Sequence, residues 1–89
     1  MLLIYKKVIV KNETGLHARP ASELTKLASG FKSNVNIIVG DKKVNAKSIL
    51  AVMSAGIKAY TEIEIECKGE DEENAMEKLV EAFNNKFGE

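Results

Sequence analysis

The sequence predicts an α+β open-faced β-sandwich: a four-stranded antiparallel sheet with three helices on one face, in the order βαββαβα. Three observations carry this. The apolar residues recur at strand spacing in some stretches and at helical spacing in others, with Gly, Asn and Asp between them. The stretch "TEIEIEC" alternates so strictly that one sheet face must meet water. The chain has 89 residues, 45% of them apolar, which is enough for one domain, residues 1–89, around one small core.

Each element follows from period and punctuation. Residues 4–10 read as a strand with Ile4, Val8 and Val10 in one register, ending at the loop "KNETG". Ala18 to Ser29 reads as a helix, because Ala21, Leu24, Ala28 and Phe31 recur at helical spacing and Gly30 suits its end. "NVNIIV" is the second strand, and the turn "GDKK" returns "KVNA" beside it as a hairpin. Ser48 opens a short helix running to about Ser54, with Ile49, Val52 and Met53 as its apolar residues and Gly56 closing it. "TEIEIEC" follows, with Ile63, Ile65 and Cys67 inward and Glu62, Glu64 and Glu66 toward water. "EDEENAMEKLVEAFNNKFG" is an amphipathic helix, acidic in its first turn, with Leu79, Val80, Phe83 and Phe87 inward.

Composition limits the function. Thirteen basic and thirteen acidic residues cancel, which argues against a nucleic-acid footprint. The zero conceals a polarity: residues 1–48 carry nine Lys or Arg against three acids, net +6, and the remainder four against ten, net −6. The only histidine, His17, lies in the basic half and so faces toward anionic partners or groups. No apolar run is long enough to cross a bilayer, and "MLLIY" is followed at once by two lysines and by no cleavage-type segment, so a soluble cytoplasmic protein without membrane insertion is expected. The lone Cys67 cannot form an internal disulfide and reads as an inert buried thiol. One histidine and one distant cysteine offer no metal-ligand cluster, and no cofactor is expected. The sequon Asn12-Glu13-Thr14 carries no meaning in a cytoplasmic chain.

"TGLHARPA", residues 14–21, sits at the junction of the first strand and first helix. Free NH groups and the positive end of the dipole make a helix start a favourable place for a phosphoryl group. Pro20 suits the first turn, where its missing NH costs nothing. It also biases Arg19 away from helical geometry, aiming the guanidinium back toward the imidazole. Gly15 permits a tight backbone approach. A neutral imidazole has a nitrogen lone pair able to attack phosphorus, and the planar fork of Arg19 can hold phosphoryl oxygens as charge develops. Gly15, Ala18 and Pro20 thus form the cradle around His17 and Arg19.

"TGLHARPA" together with "KVNAKSILAVMSAGI" resembles the HPr family, the small phosphocarriers of the phosphoenolpyruvate-dependent sugar phosphotransferase system, over nearly the whole chain. The resemblance implies that His17 accepts a phosphoryl group at Nδ1 from phospho-enzyme I and donates it to enzyme II A domains for sugar uptake, supported by Arg19. It implies that Ser48 is a regulatory serine of the Gram-positive type, phosphorylated with ATP by an HPr kinase/phosphorylase. Serine is also a preferred N-cap, so cap and target coexist at that position. By the same similarity, the first and short helices form the docking face, with Ile49, Leu50 and Met53 as its apolar part beside Ala18, and Lys26 and Lys47 flanking it. Four apolar residues in a two-turn helix cannot all face one way, so at least one is expected outside, Leu50 first among them. Such a protein is a stoichiometric carrier, not an enzyme, and a monomer is expected. Where relatives often have glycine, this chain has Ala51, and "IKAYTE" lacks the glycine that often precedes the last strand; Glu23 replaces a common apolar residue.

Three alternatives belong beside this one. A regulatory HPr-like protein acting through phospho-Ser48 in catabolite control has no need of His17. A nitrogen-branch carrier keeps His17 but not the Ser48 region. An RNA-recognition domain of similar shape needs exposed aromatics on its central strands, which this chain lacks.

Overall fold

The computed structural model describes residues 3–89; Met1 and Leu2 of the amino-terminal apolar run lie outside the described residues. Strand β1 (Leu3–Ile9) is followed by helix α1 (Ala18–Ser29), strands β2 (Asn34–Val39) and β3 (Lys42–Asn45), helix α2 (Ile49–Ser54), strand β4 (Glu62–Lys68) and helix α3 (Glu72–Asn84), with a short turn at Lys86–Gly88. The four strands form one antiparallel sheet in the order β1-β4-β2-β3. The expected βαββαβα open-faced sandwich is therefore the observed architecture.

Alternation sets the layers. Val8, Val35, Ile37, Val44, Ile63, Ile65 and Cys67 face the helices and are buried. Against them pack Ala21, Leu24 and Ala28 of α1, Val52 of α2, and Ala75, Met76, Leu79 and Phe83 of α3. The β2–β3 hairpin turns in two residues, Gly40 and Asp41, and Gly40 has the positive φ (59°) that such a turn needs at its first position. No helix among the described residues is long and apolar enough to cross a membrane.

Asp71 does an unexpected job. As the N-cap residue of α3 it makes no side-chain cap bond. Its carboxylate instead accepts from the backbone NH groups of Lys32 and Ser33, both at 2.9 Å, and from the Ser33 hydroxyl, tying the start of α3 to the segment after α1. These bonds, the Ser33 hydroxyl first, hold its pKa down at about 2.

Two expectations need correction. Glu66 does not face water: only 5% of it is exposed. Its cross-strand neighbours Tyr5 and Asn36 are long enough to cover it, and its carboxylate accepts from Asn36 Nδ2 and Lys43 Nζ, each at 3.0 Å, and from the Tyr5 hydroxyl. Burial pushes that carboxyl up, but the bonds from Lys43, Asn36 and Tyr5 outweigh it and hold the pKa below the ordinary value. Helix α3 stops at Asn84, because Lys86 (φ 58°) and Phe87 (φ 52°) are left-handed; Phe87 still packs edge-on against Phe83, ring centroids 4.8 Å apart. In α2, Ile49, Leu50 and Met53, the residues named above as one apolar patch, are all exposed, and Val52 alone of its apolar residues is fully buried. A six-residue helix that touches the core with one turn has room for only one inward position.

Cys67 is fully buried, and desolvation, with Asp71, Glu72 and Glu66 nearby, pushes its thiol up to about 11. The thiol therefore stays protonated at neutral pH.

Candidate functional site

The segment from Val10 to His17 has no regular structure, yet most of its backbone is held. Val10 donates to the Thr61 carbonyl at 2.9 Å and accepts from the Tyr60 NH at 2.6 Å, which extends the β1–β4 ladder past its last paired strand residues. The Gly15 NH donates to the Asn12 carbonyl at 2.9 Å, and the Leu16 NH to the Ile57 carbonyl at 3.0 Å. Leu16 then drops its side chain into the core, 3% exposed.

Gly15 carries this arrangement. Its φ is 69°, and a Cβ placed there would collide with the Ile57 carbonyl oxygen and approach Lys58 Cα to 2.9 Å and Ala59 N to 3.0 Å. The close approach it permits is between two stretches of backbone, the segment before His17 and the one after α2. That segment leaves α2 through Ala55 and a left-handed Gly56 (φ 62°).

His17 is the N-cap residue of α1, extended at φ −77° and ψ −168°, with its carbonyl accepting from the Ala21 NH at 2.9 Å. Its side chain makes no cap bond and is exposed, which leaves the imidazole open to solvent at the start of the helix. Ala18 and Arg19 are the first two helical residues, whose NH groups have no acceptor one turn back, and Pro20 contributes none. Arg19 lies inside the helix, which corrects the expectation that Pro20 would keep it non-helical. The Ala21–His17 bond closes the first turn and Pro20 is buried beneath it, which together outweigh the pre-proline bias. The Arg19 guanidinium is exposed and forms no ion pair among the described residues. An exposed imidazole, an unpaired guanidinium and two free NH groups thus share one helix start, which suits an anionic group on the imidazole.

Ser48 is the N-cap of α2: its hydroxyl oxygen accepts from the Ala51 NH at 3.2 Å, and its carbonyl from Val52 at 3.0 Å. It is half-buried. Beside it Leu50 is 75% exposed, the largest exposure among the large apolar residues described, with Ile49 and Met53 exposed to a lesser degree. Helices α1 and α2 are in contact, so this apolar patch and the start of α1 belong to neighbouring elements. Lys26 is exposed and lies 3.9 Å from Glu23 on the same helix. Lys47 is committed elsewhere: its Nζ donates to the Phe31 carbonyl at 2.8 Å, which draws it to the segment following α1.

Sequence reasoning missed Asn12. Only 1% exposed, it donates from Nδ2 to the Lys86 carbonyl at 2.9 Å and to Glu89 Oε1, pinning the carboxy-terminal turn against the segment before His17. That amide is not free for a glycan. The turn continues past α1, where Phe87, Gly88 and Glu89 line a shallow depression together with Arg19, Pro20 and Glu23. A polar residue in a loop gives no signal of a partner 74 positions away.

Comparison with known proteins shows which family the chain resembles in sequence and fold. The family described as "PTS HPr component phosphorylation site" matches residues 4–85. The chain is 40% identical over 87 residues to the phosphocarrier protein HPr of Xylella fastidiosa, covering 98% of each chain. It is 44% identical over 78 residues to the HPr-like protein Crh of Bacillus subtilis, covering 88% of this chain and 92% of that one. A crystal structure of HPr from Thermoanaerobacter tengcongensis superposes with a TM-score of 0.93 at 42% identity, covering 97% of each chain.

Proposed function

The chain belongs to the HPr family of phosphotransferase-system phosphocarriers, and from that premise we propose that His17 is its phosphoacceptor, charged by phospho-enzyme I and discharged to enzyme II A domains. The observation that carries this is the exposed His17 imidazole at the N-cap of α1, next to an Arg19 with no other ion-pair partner among the described residues.

The chemistry is a direct exchange. The imidazole lone pair attacks the phosphorus of the donor's phosphohistidine; the new N–P bond forms as the donor's N–P bond breaks, and the bonding electrons return to the donor nitrogen. Family resemblance makes Nδ1 the attacking atom. The backbone braces on Val10, Gly15 and Leu16 hold the segment leading to the imidazole before the partner arrives, so little ordering is left for the encounter. Arg19 and the free NH groups of α1 offset the charge of the bound phosphoryl group. Because the group arrives and leaves, the protein is a stoichiometric carrier. Location in the cytoplasm and a monomeric state are part of the same proposal.

Intact mass after incubation with phosphoenolpyruvate and enzyme I tests it. One acid-labile phosphate on wild type and none on a folded His17→Ala protein is expected. An unmodified wild type, or an unchanged His17→Ala product, would refute the assignment.

A second, regulatory reading concerns Ser48, and the likeness to Crh favours keeping it. A phosphate on the Ser48 oxygen would add about −2 charge beside Leu50 and Ile49, and would weaken docking of an acidic partner surface. ATP-dependent, acid-stable modification that disappears in Ser48→Ala is the expected result.

A further inference from the structure

Tyr60 has a backbone conformation that a tyrosine adopts at a cost. Its φ is 62°, where a Cβ crowds the neighbouring peptide. The conformation is enforced from outside: the Tyr60 NH is bonded to the Val10 carbonyl at 2.6 Å, the next residue accepts from Val10 NH, and Ile57 to Ala59 lie pressed against Gly15. Glycine would satisfy this brace without penalty. The side chain is therefore not what the fold requires at this position.

Nor does the ring contribute to the interior. Tyr60 is 67% exposed, is not among the apolar residues packed on the core, and its hydroxyl has no hydrogen-bond partner among the described residues. Four of the seven large apolar side chains exposed on the described surface come from residues 49–60: Ile49, Leu50, Met53 and Tyr60. Exposed lysines flank the ring position, Lys58 two residues before it and Lys11 next to its hydrogen-bond partner Val10.

We infer that Tyr60 is a specificity-determining contact for a phosphotransfer partner, inserting its ring into an apolar pocket whose rim is acidic. This rests on the phosphocarrier function proposed above. A rigid aromatic with two rotatable bonds loses little freedom on binding, and the strained, cross-braced backbone fixes where it starts from. The lysines match the acidic rim and guide the encounter.

The experiment measures phosphotransfer kinetics of wild type, Tyr60→Gly, Tyr60→Asn and Tyr60→Phe, all with His17 intact, as substrates of enzyme I and as donors to an enzyme II A domain. Glycine and asparagine both accept the left-handed conformation, so both variants fold, and Tyr60→Gly melts no lower than wild type. The expected result is a KM raised at least about fivefold by Tyr60→Gly and Tyr60→Asn against one or both partners, with kcat within about twofold and the KM restored by Tyr60→Phe. Unchanged KM against both partners, or a rise accompanied by a lower melting temperature in Tyr60→Gly, overturns the inference. A wild type that takes no phosphate on His17 instead refutes the carrier function itself.

Discussion

Replacing Gly15 by alanine tests the brace beneath His17, the proposed phosphoacceptor. At φ 69° a Cβ carries the left-handed penalty, about 1–2 kcal/mol. The same Cβ also meets the Ile57 carbonyl and the Lys58 and Ala59 backbone, and because those atoms belong to peptide units, not to flexible side-chain ends, the main chain itself must shift. Overpacking of that kind costs a further 1–3 kcal/mol, roughly, for a total of about 2–5 kcal/mol. For a domain of this size each kcal/mol lowers the melting temperature by about 4–8 °C. Gly40 supplies the internal control: its φ is 59°, but a Cβ there meets nothing within 4 Å. Gly40→Ala should therefore lose only the conformational part, and the entropy that alanine removes from the unfolded chain cancels between the two variants. Urea unfolding of both proteins is the assay, and the expected gap is about 1–3 kcal/mol. Equal losses would show that the segments before His17 and after α2 are not in contact as described. Because the Leu16–Ile57 bond depends on that contact, Gly15→Ala should also slow phosphorylation of His17 in the protein that remains folded.

Other expectations follow from the same structure. Asp71 has its pKa held down at about 2 against an ordinary 3.8, so its contribution to stability is present above pH 4 and disappears as the pH falls toward 2; urea midpoints of wild type and Asp71→Asn should converge over that interval, and a gap independent of pH would contradict the clasp on Lys32 and Ser33. The Cys67 thiol, with a pKa of about 11 and no exposure, should react with a disulfide reagent at pH 8 only as fast as the protein opens; prompt labelling of native protein would disprove its burial. Leu50→Ser should leave stability within about 0.5 kcal/mol while raising the KM for transfer, whereas Val52→Ala should cost about 2 kcal/mol, and a reversed order would misassign the outward side of α2.

Where period and punctuation agree, the chain could be read directly. Helix α1 and strand β2 have the boundaries expected of them, because His17 and Gly30 bracket one and Gly40 ends the other. The misreadings share a physical cause, which is that the deciding contact is distant. Phe83 and Phe87 are four apart and continue the helical period, and nothing local announces that Asn12 captures the Lys86 carbonyl and that the chain turns left-handed instead. Glu66 alternates faultlessly with its neighbours; only pairing with Tyr5 on one side and Asn36 on the other buries it. His17, Arg19 and Pro20 were legible because the residues that make the candidate site are contiguous. The groups that hold this site, Ile57, Tyr60 and Lys86, are not.

The distribution of backbone strain gives those supporting groups a common meaning. Among the described residues three non-glycine positions have positive φ: Tyr60, Lys86 and Phe87. Tyr60 binds Val10 through its NH, and Lys86 binds Asn12 through its carbonyl, so the strained segments brace the chain between β1 and α1 from two sides. That stretch has no hydrogen-bonded ladder of its own beyond Val10 and Gly15, and left alone it would sample many conformations. Strained positions persist only where surrounding contacts over-determine them, and here the cross-bonds and the Phe87 packing against Phe83 do so. The two braces thus converge on one result: the backbone that leads to His17 is fixed in place. Cutting one brace, as in Asn12→Ala, should leave the other in place and reduce the transfer rate without abolishing it. Adding Gly15→Ala, which displaces the Ile57–Ala59 backbone leading to Tyr60 and so disturbs the second brace, should slow transfer by more than the product of the separate effects. Strictly multiplicative losses would mean that the two braces act on different parts of the molecule and that the strain has no shared purpose.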